Sequence, residues 1–314
     1  MSDQNHQKQI HPVLATTLGI LCVSTASIFI RFAQDEASAI VIAASRLIVA
    51  SLIIVPIVII KQKGEWARLS RTDFGKAILS GIFLALHFTT WISSLRLTSI
   101  ASSVVLVTTT PLWVALLSPI VLNEPIRKSV IAGLVVSMAG SIVVGLANTC
   151  QFQGGILTCS GQLSSGSSML GNLLALIGAW MAAGYMLMGR QLRKNLTTLS
   201  YAGLVYGIAA LVLLVIVILR KEPVFSYSRQ TYFWLAALGI VPQLMGHSLL
   251  NLALKYISAA YVSLTLLGEP IGTVILALIF LKESPTFLEG IGAVLILAGI
   301  VIASFWRDKK VNEA

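Results

Sequence analysis

Arg46 and Glu269 are charged side chains set well inside long apolar runs of a 314-residue sequence. An ion at the centre of a bilayer-spanning helix costs roughly 2.5–3.5 kcal/mol even on lenient insertion scales, so such residues persist where they meet one another, water or a solute. A guanidinium offers a fixed positive charge with paired donors suited to a carboxylate or phosphate. A carboxyl group in a medium of low dielectric can take up and release a proton, and a nearby arginine draws it back toward the charged form. The competing structural readings are an ion pair that locks two helices and an arginine that snorkels to the surface.

Polar residues at helical spacing extend the pattern. Gln243, His247 and Asn251 recur every four residues, as do Tyr261, Thr265 and Glu269, and His87, Thr90, Trp91 and Ser94 share one face of another run. Facing lipid, these groups would be left unsatisfied at considerable cost, so they are expected to look inward, lining a cavity or bonding helix to helix. The expected site has Trp91, Thr109 and Trp113 on one wall and Gln243, His247, Tyr261, Thr265 and Glu269 on the other. Arg46 supplies its positive charge, and His87 a further polar group. Aromatic walls suit a flat or amphipathic solute. Pro111 and Pro270 each delete a backbone hydrogen bond in mid-span and are expected to act as paired hinges. Glu124 and Glu283, at helix junctions, are expected to cap the helices that follow.

The elements that must position these residues follow from composition. Hydrophobic residues make up 56% of the chain and charged ones only 11%, against roughly a quarter charged in soluble domains. A span needs about 20 apolar residues. That ruler marks ten spans, at residues 13–32, 39–60, 74–95, 99–122, 129–147, 171–189, 199–219, 231–252, 258–281 and 286–305. The expected fold is therefore an all-α integral membrane protein with ten transmembrane helices and no soluble domain. The net charge of +10 comes from short Lys and Arg clusters between apolar runs, which excludes a nucleic-acid-binding stripe. Fifteen of the 22 Lys and Arg fall in segments sharing one side, six fall on the other side, and Arg46 lies within a span. This asymmetry predicts both termini in the cytoplasm and a location in the cell (inner) membrane. Three cysteines without Cys-x-x-Cys or paired-histidine spacing give no expected metal site, although Cys150 and Cys159 could form a disulfide or remain free thiols. No His-Glu-x-x-His, Gly-x-Ser-x-Gly or nucleotide-binding Gly-Lys loop is present, so neither an enzyme nor an ATP-driven pump is expected, and no cofactor.

An internal repeat organises the whole chain. A shift of 159 residues places 13–145 on 172–304 without a gap. Arg31 falls on Arg190, Ser99-x-Ala101 on Ser258-x-Ala260, Pro111 on Pro270, Glu124 on Glu283, and Gly133 with Ala139-Gly140 on Gly292 with Ala298-Gly299. Each unit carries five spans, an odd number, so the second enters from the opposite face and the two form inverted-topology repeats. The expected organisation is a cytoplasmic segment 1–12, a first repeat 13–147, an external linker 148–169, a second repeat 170–305 and a cytoplasmic tail 306–314. The linker is uncharged and rich in Gly and Ser, as a flexible connector would be. Small residues on the fifth and tenth spans offer a packing face or a dimer face, which leaves monomer and homodimer both open.

The late part of each unit, Leu95–Gly140 and Leu254–Gly299, resembles the drug/metabolite transporter superfamily of EamA type. Both copies run from a basic residue (Arg96, Lys255) through Ser-x-Ala, a mid-span Pro and a Glu at the turn into a Gly-rich helix. Arg46 and the Glu269-Pro270 pair also resemble that family's pattern. The resemblance implies a secondary transporter, working as an exporter, for a small metabolite, amino acid or drug-like solute, with membrane lipid as its surroundings and proton coupling as one energy source. A nucleotide-sugar or lipid-linked carrier is the second reading, and a channel or scaffold the third.

Overall fold

The computed structural model describes residues 11–62, 64–97, 103, 106–146, 150–153, 156–159, 166–281 and 287–305. Glu283, Trp306, most of the 1–12 segment and the 306–314 tail lie outside these residues. The helices are α1 (Pro12–Ser24), α2 (Ala26–Ala33), α3 (Ala39–Lys61), α4 (Arg71–Leu97), α5 (Thr110–Val121), α6 (Lys128–Leu146), α7 (Gly166–Leu192), α8 (Thr198–Leu219), α9 (Arg229–Leu238), α10 (Ser248–Tyr256), α11 (Ala259–Thr265), α12 (Glu269–Leu281) and α13 (Phe287–Phe305). A nine-residue π-helix, Gly239–His247, joins α9 to α10.

Six helical stretches among the described residues are long and apolar enough to cross a bilayer: Pro12–Ala33, Ala39–Lys61, Arg71–Leu97, Met169–Leu192, Thr198–Leu219 and Arg229–Tyr256. Three shorter apolar helices accompany them, and the expected span 258–281 is interrupted by a 3₁₀ turn at Leu266–Gly268. Among the described residues, the ten expected spans are thus not all present as continuous helices. The breaks have local causes. Pro111 and Pro270 occupy the first turn of α5 and α12, where the missing N–H is an orphan in any case, so each opens a new helix instead of bending an existing one. Large apolar side chains such as Leu52, Ile60, Ile120 and Leu219 point outward, a surface suited to hydrocarbon.

Local structure repeats at the offset seen in the sequence. α3 and α8 start 159 residues apart, as do α5 and α12, and α6 and α13. The N-caps recur with them: the Ser38 hydroxyl accepts from Val41 N (3.3 Å), and that of Thr197 from Ser200 N (3.2 Å). Packing pairs one half with the other: α4 lies on α7, α1 on the π-helix and α10, α3 on α8, and α6 on α13. The α6–α13 crossing is the tightest. A Cβ on Gly140 would lie 2.7 Å from the Gly292 carbonyl oxygen, and one on Gly133 would strike the Gly299 carbonyl. These small-residue faces cover each other within one chain, so they do not form an exposed dimer face.

The linker also departs from expectation. Cys150–Gln153 (β1) and Ile156–Cys159 (β2) pair as an antiparallel hairpin with Cys150 opposite Cys159, and α7 begins at Gly166, so a wholly flexible connector is excluded.

Candidate functional site

Gly239 sets the site's geometry. A Cβ there would lie 2.5 Å from the Val49 side chain and 3.1 Å from the Arg46 carbonyl oxygen, so only glycine lets the π-helix lie this close to α3. Pro242, which has no N–H to donate, sits inside the same segment, and the wider π turn accommodates it. One turn past Gly239, Gln243 reaches the arginine: Arg46 Nε donates to Gln243 Oε1 at 3.0 Å, with both side chains buried. The guanidinium carbon of Arg46 lies 3.9 Å from the centre of the Phe88 ring on α4. His247 meets the edge of the same ring at 5.4 Å. His87 stacks on Trp91 at 6.0 Å and contacts the Gly178 carbonyl through Nδ1 at 2.9 Å.

Three buried donors in this cluster have no acceptor: Arg46 Nη1, Gln243 Nε2 and Trp91 Nε1. A buried donor left unsatisfied costs about 1–3 kcal/mol. Glu269, half-buried at the head of α12, lies within Coulombic reach of Arg46. The two do not close to an ion pair of the kind that joins Arg190 Nε to Glu124 Oε1 at 2.9 Å. An interlocking of α1 with α12 fixes that acid's backbone: Ser24 Oγ donates to the Glu269 carbonyl (3.1 Å), and Thr273 Oγ1 donates to the Ser24 carbonyl (3.2 Å).

Three consecutive residues of α7 tie in the other expected wall. Gly178 meets His87, the Ala179 carbonyl accepts from Thr110 Oγ1 at 3.4 Å, and Trp180 meets the Trp113 ring edge-on at 5.4 Å. Thr109 accepts from Trp113 Nε1 at 3.1 Å and orients that indole. Arg46, His87, Trp91, Gln243, His247 and Glu269 thus gather in one region, with Thr109 and Trp113 joined to it through α7. Two expected members do not join. Tyr261 packs against the separate Ala115–Leu134–Leu264–Ala303 cluster, and the buried Thr265 hydroxyl donates to the Val262 carbonyl in its own helix. The 3₁₀ turn after Thr265 breaks the four-residue stripe that linked both to Glu269.

Glu124 is also corrected. Its carboxylate pairs with Arg190, which donates as well to the Leu254 and Lys255 carbonyls (2.8 and 3.0 Å), and α6 starts only at Lys128. The acid fastens the end of α7 to the end of α5 and does not cap α6.

Sequence reasoning missed Arg193. It counts as one more cation of a loop cluster, yet it is 1% exposed, with Nη1 bonded to Asn251 Oδ1 at 2.9 Å and its guanidinium 4.4 Å from the Tyr201 ring. No spacing in Arg190-Gln-Leu-Arg193-Lys194 separates it from the partly buried Arg190 and the exposed Lys194. An open cavity of about 440 Å³ lies at that end of the bundle, lined in part by Glu65, Arg68, Asp73, Lys194 and Lys255.

Comparison with known proteins agrees with this architecture. The EamA-like transporter family model matches twice, at residues 12–146 and 169–305. An uncharacterized transporter of Archaeoglobus fulgidus is 24% identical over 94% of this chain and 96% of its own. The uncharacterized transporter YyaM of Bacillus subtilis is 27% identical over 67% of this chain and 66% of its own. A crystal structure with a TM-score of 0.76 covers 94% of this chain and 98% of the other at 18% identity, which shows a shared fold. With two copies of that domain spanning nearly its full length, the chain is a multi-pass membrane protein and belongs to the EamA-like transporter family.

Proposed function

We propose that this chain is a secondary transporter that exports a small amphipathic metabolite bearing a carboxylate, by alternating access through the Arg46 region. The observation that carries the reading is the trio of unpaired buried donors, Arg46 Nη1, Gln243 Nε2 and Trp91 Nε1, beside a fixed positive charge. A carboxylate has acceptor capacity for several of them at once, while Phe88, Trp91 and Trp113 offer apolar faces to the rest of the solute. Glu269 is assigned the coupling proton, because it lies within reach of Arg46 without being neutralised by contact.

The pairing of halves supports ten spans in two inverted units. The contact of α4 with α7 and that of α1 with the π-helix and α10 exchange when each helix is replaced by its partner 159 residues away. Both ends carry latches that would open in turn. At one end, Arg96 donates to the Ala37 and Gln34 carbonyls (2.5 and 3.2 Å); at the other, Arg190 holds Glu124 and the end of α10.

The test begins with metabolite pools of cells with and without the protein. Uptake of the leading carboxylated solute into proteoliposomes follows. Accumulation outside producing cells, and uptake in Arg46→Gln that needs far higher solute concentration, is the expected result. Unchanged pools together with no uptake of any carboxylated candidate would overturn the reading.

A further inference from the structure

Arg193 poses a problem that the Arg46 region does not solve. It is 1% exposed, and its Nε and Nη2 have no acceptor. The groups that act on its charge are the phenols of Tyr201, Tyr185 and Tyr206, with Tyr201 also a hydrogen-bonding neighbour; no carboxylate is among them. Taking a cation out of water costs several kcal/mol, and neutral phenols with one cation–π contact return only part of it. Most of the cage is neutral and hydrogen-bonded: Tyr185 donates to Asn251 Oδ1 (3.0 Å), Asn251 Nδ2 lies 3.3 Å from the Tyr206 hydroxyl, and Tyr201 pairs with Ser80 (2.9 Å). Gly189 completes it, because a Cβ there would lie 2.9 Å from both terminal guanidinium nitrogens.

The cage lies between two regions already described. Lys194, next in sequence, lines the open 440 Å³ cavity. In the other direction, Tyr206 lies within Coulombic reach of both Arg193 and Arg46. Asn251 and Gln243, the amides that hold the two arginines, belong to the same continuous helical stretch, two turns apart. Among the described residues, the buried charged side chains are thus two arginines, each held by an amide and an aromatic ring.

We propose that Arg193 forms a second anion site, which takes the carboxylate of the transported solute at the cavity end of the bundle while Arg46 takes it in mid-bundle. This deepens the transport reading and rests on it for the identity of the ligand. Two buried cations with free donors, joined by one helix, give a carboxylate a place at each stage of its passage. The Tyr201–Tyr185–Tyr206 cage shields the charge when the anion is elsewhere.

Binding of radiolabelled benzoate to the purified full-length protein tests the proposal, with benzamide as the uncharged competitor. Wild type should bind benzoate in a manner that benzamide does not displace. Arg193→Gln should weaken one class of sites about tenfold or more, the size expected for losing a charge-assisted pair, while Arg193→Lys retains it. Arg46→Gln should weaken the other class. Because removing an uncompensated charge relieves a cost, Arg193→Gln should melt no lower than wild type without ligand, and benzoate should raise its Tm by less. If benzoate binding is unchanged in Arg193→Gln and in Arg193→Lys, or if Arg193→Gln melts lower without ligand and binds normally, Arg193 is a structural lock and the proposal fails. Loss of binding in Arg46→Gln alone would leave the transport reading standing and sink this one; loss in Arg193→Gln alone would remove Arg46 from the transport reading and overturn the two-site passage with it.

Discussion

Single residues carry the chemistry of this interior, and their partners show how they could work. Arg46 is held by an amide and an aromatic face and not by an acid, so its charge remains available to a solute. Charged hydrogen bonds of this kind contribute about 1.5–3 kcal/mol, which predicts that Arg46→Gln weakens apparent affinity roughly ten- to a hundredfold, as read from KM in proteoliposomes. Glu269→Gln should abolish uptake driven by a pH gradient while leaving counterflow exchange intact; normal gradient-driven uptake in that variant would remove Glu269 from the coupling step. Glu36, in the turn between α2 and α3, gives a pH-sensitive contact outside the spans. Its carboxylate accepts from Ser228 N at 2.7 Å, which holds its pKa below the usual carboxylate range. A depressed pKa means that the contact is fully present above the ordinary carboxylate pKa and is lost as pH falls through the lower folded value. Hydrogen exchange at the Ser228 amide should accelerate over that acidic window relative to neighbouring amides, and Glu36→Gln should flatten the dependence. Arg46 and Glu269 were legible in the sequence because an ion inside an apolar run is conspicuous. Arg193 was not, because burial of a residue just beyond a helix end depends on Tyr201, Tyr206 and Asn251 of other helices as well as on Tyr185 of its own.

Elements follow the apolar pattern in order but not in continuity. Hydropathy marks where chain can enter a membrane, whereas the 3₁₀ turn at Leu266–Gly268 and the π-helix at Gly239–His247 depend on packing that one-dimensional spacing does not contain. The four-residue stripe through Gln243, His247 and Asn251 survived because a π turn still returns near the same face after four residues; the stripe through Thr265 and Glu269 was cut by the 3₁₀ turn. Glycines set the close crossings. Gly133→Val forces a side chain into the Gly299 carbonyl and the Ala303 backbone, neither of which can swing aside. Overpacking of this kind costs about 1–3 kcal/mol, so a lower Tm and a smaller folded fraction are expected. Gly75, near the start of α4, has open space around it, and Gly75→Ala should hold or raise the Tm by the usual helical preference for alanine. Equal melting of the two variants would show that the α6–α13 crossing is not tightly constrained.

At the scale of the whole molecule, duplication explains what neither half could do alone. Each apolar unit packs chiefly on the other: the 159-residue offset that aligns Pro111 with Pro270 also aligns α6 with α13, and these two form the tightest crossing. Chemistry breaks that symmetry. Arg46 and Glu269 stand opposite Val205 and Thr110 in the other repeat, so two similar scaffolds enclose one polar region whose charges come from different halves. For the halves to be inverted, the turns must alternate between faces along the chain, and this is a prediction about sidedness. By the positive-inside rule, the excess of Lys and Arg on the 62–70, 122–127 and 193–197 side predicts that this side faces the cytoplasm. In a variant lacking Cys22, Cys150 and Cys159, a cysteine at the exposed Ser226, between α8 and α9, should react with an impermeant maleimide in intact cells. One at the exposed Ser70, just before α4, should react only after the membrane is opened. The reverse pattern would turn the orientation over and preserve the inversion. Labelling of both from outside would place the 62–70 and 220–228 turns on one face, and an inverted pair of five-span units could not then be drawn through this chain.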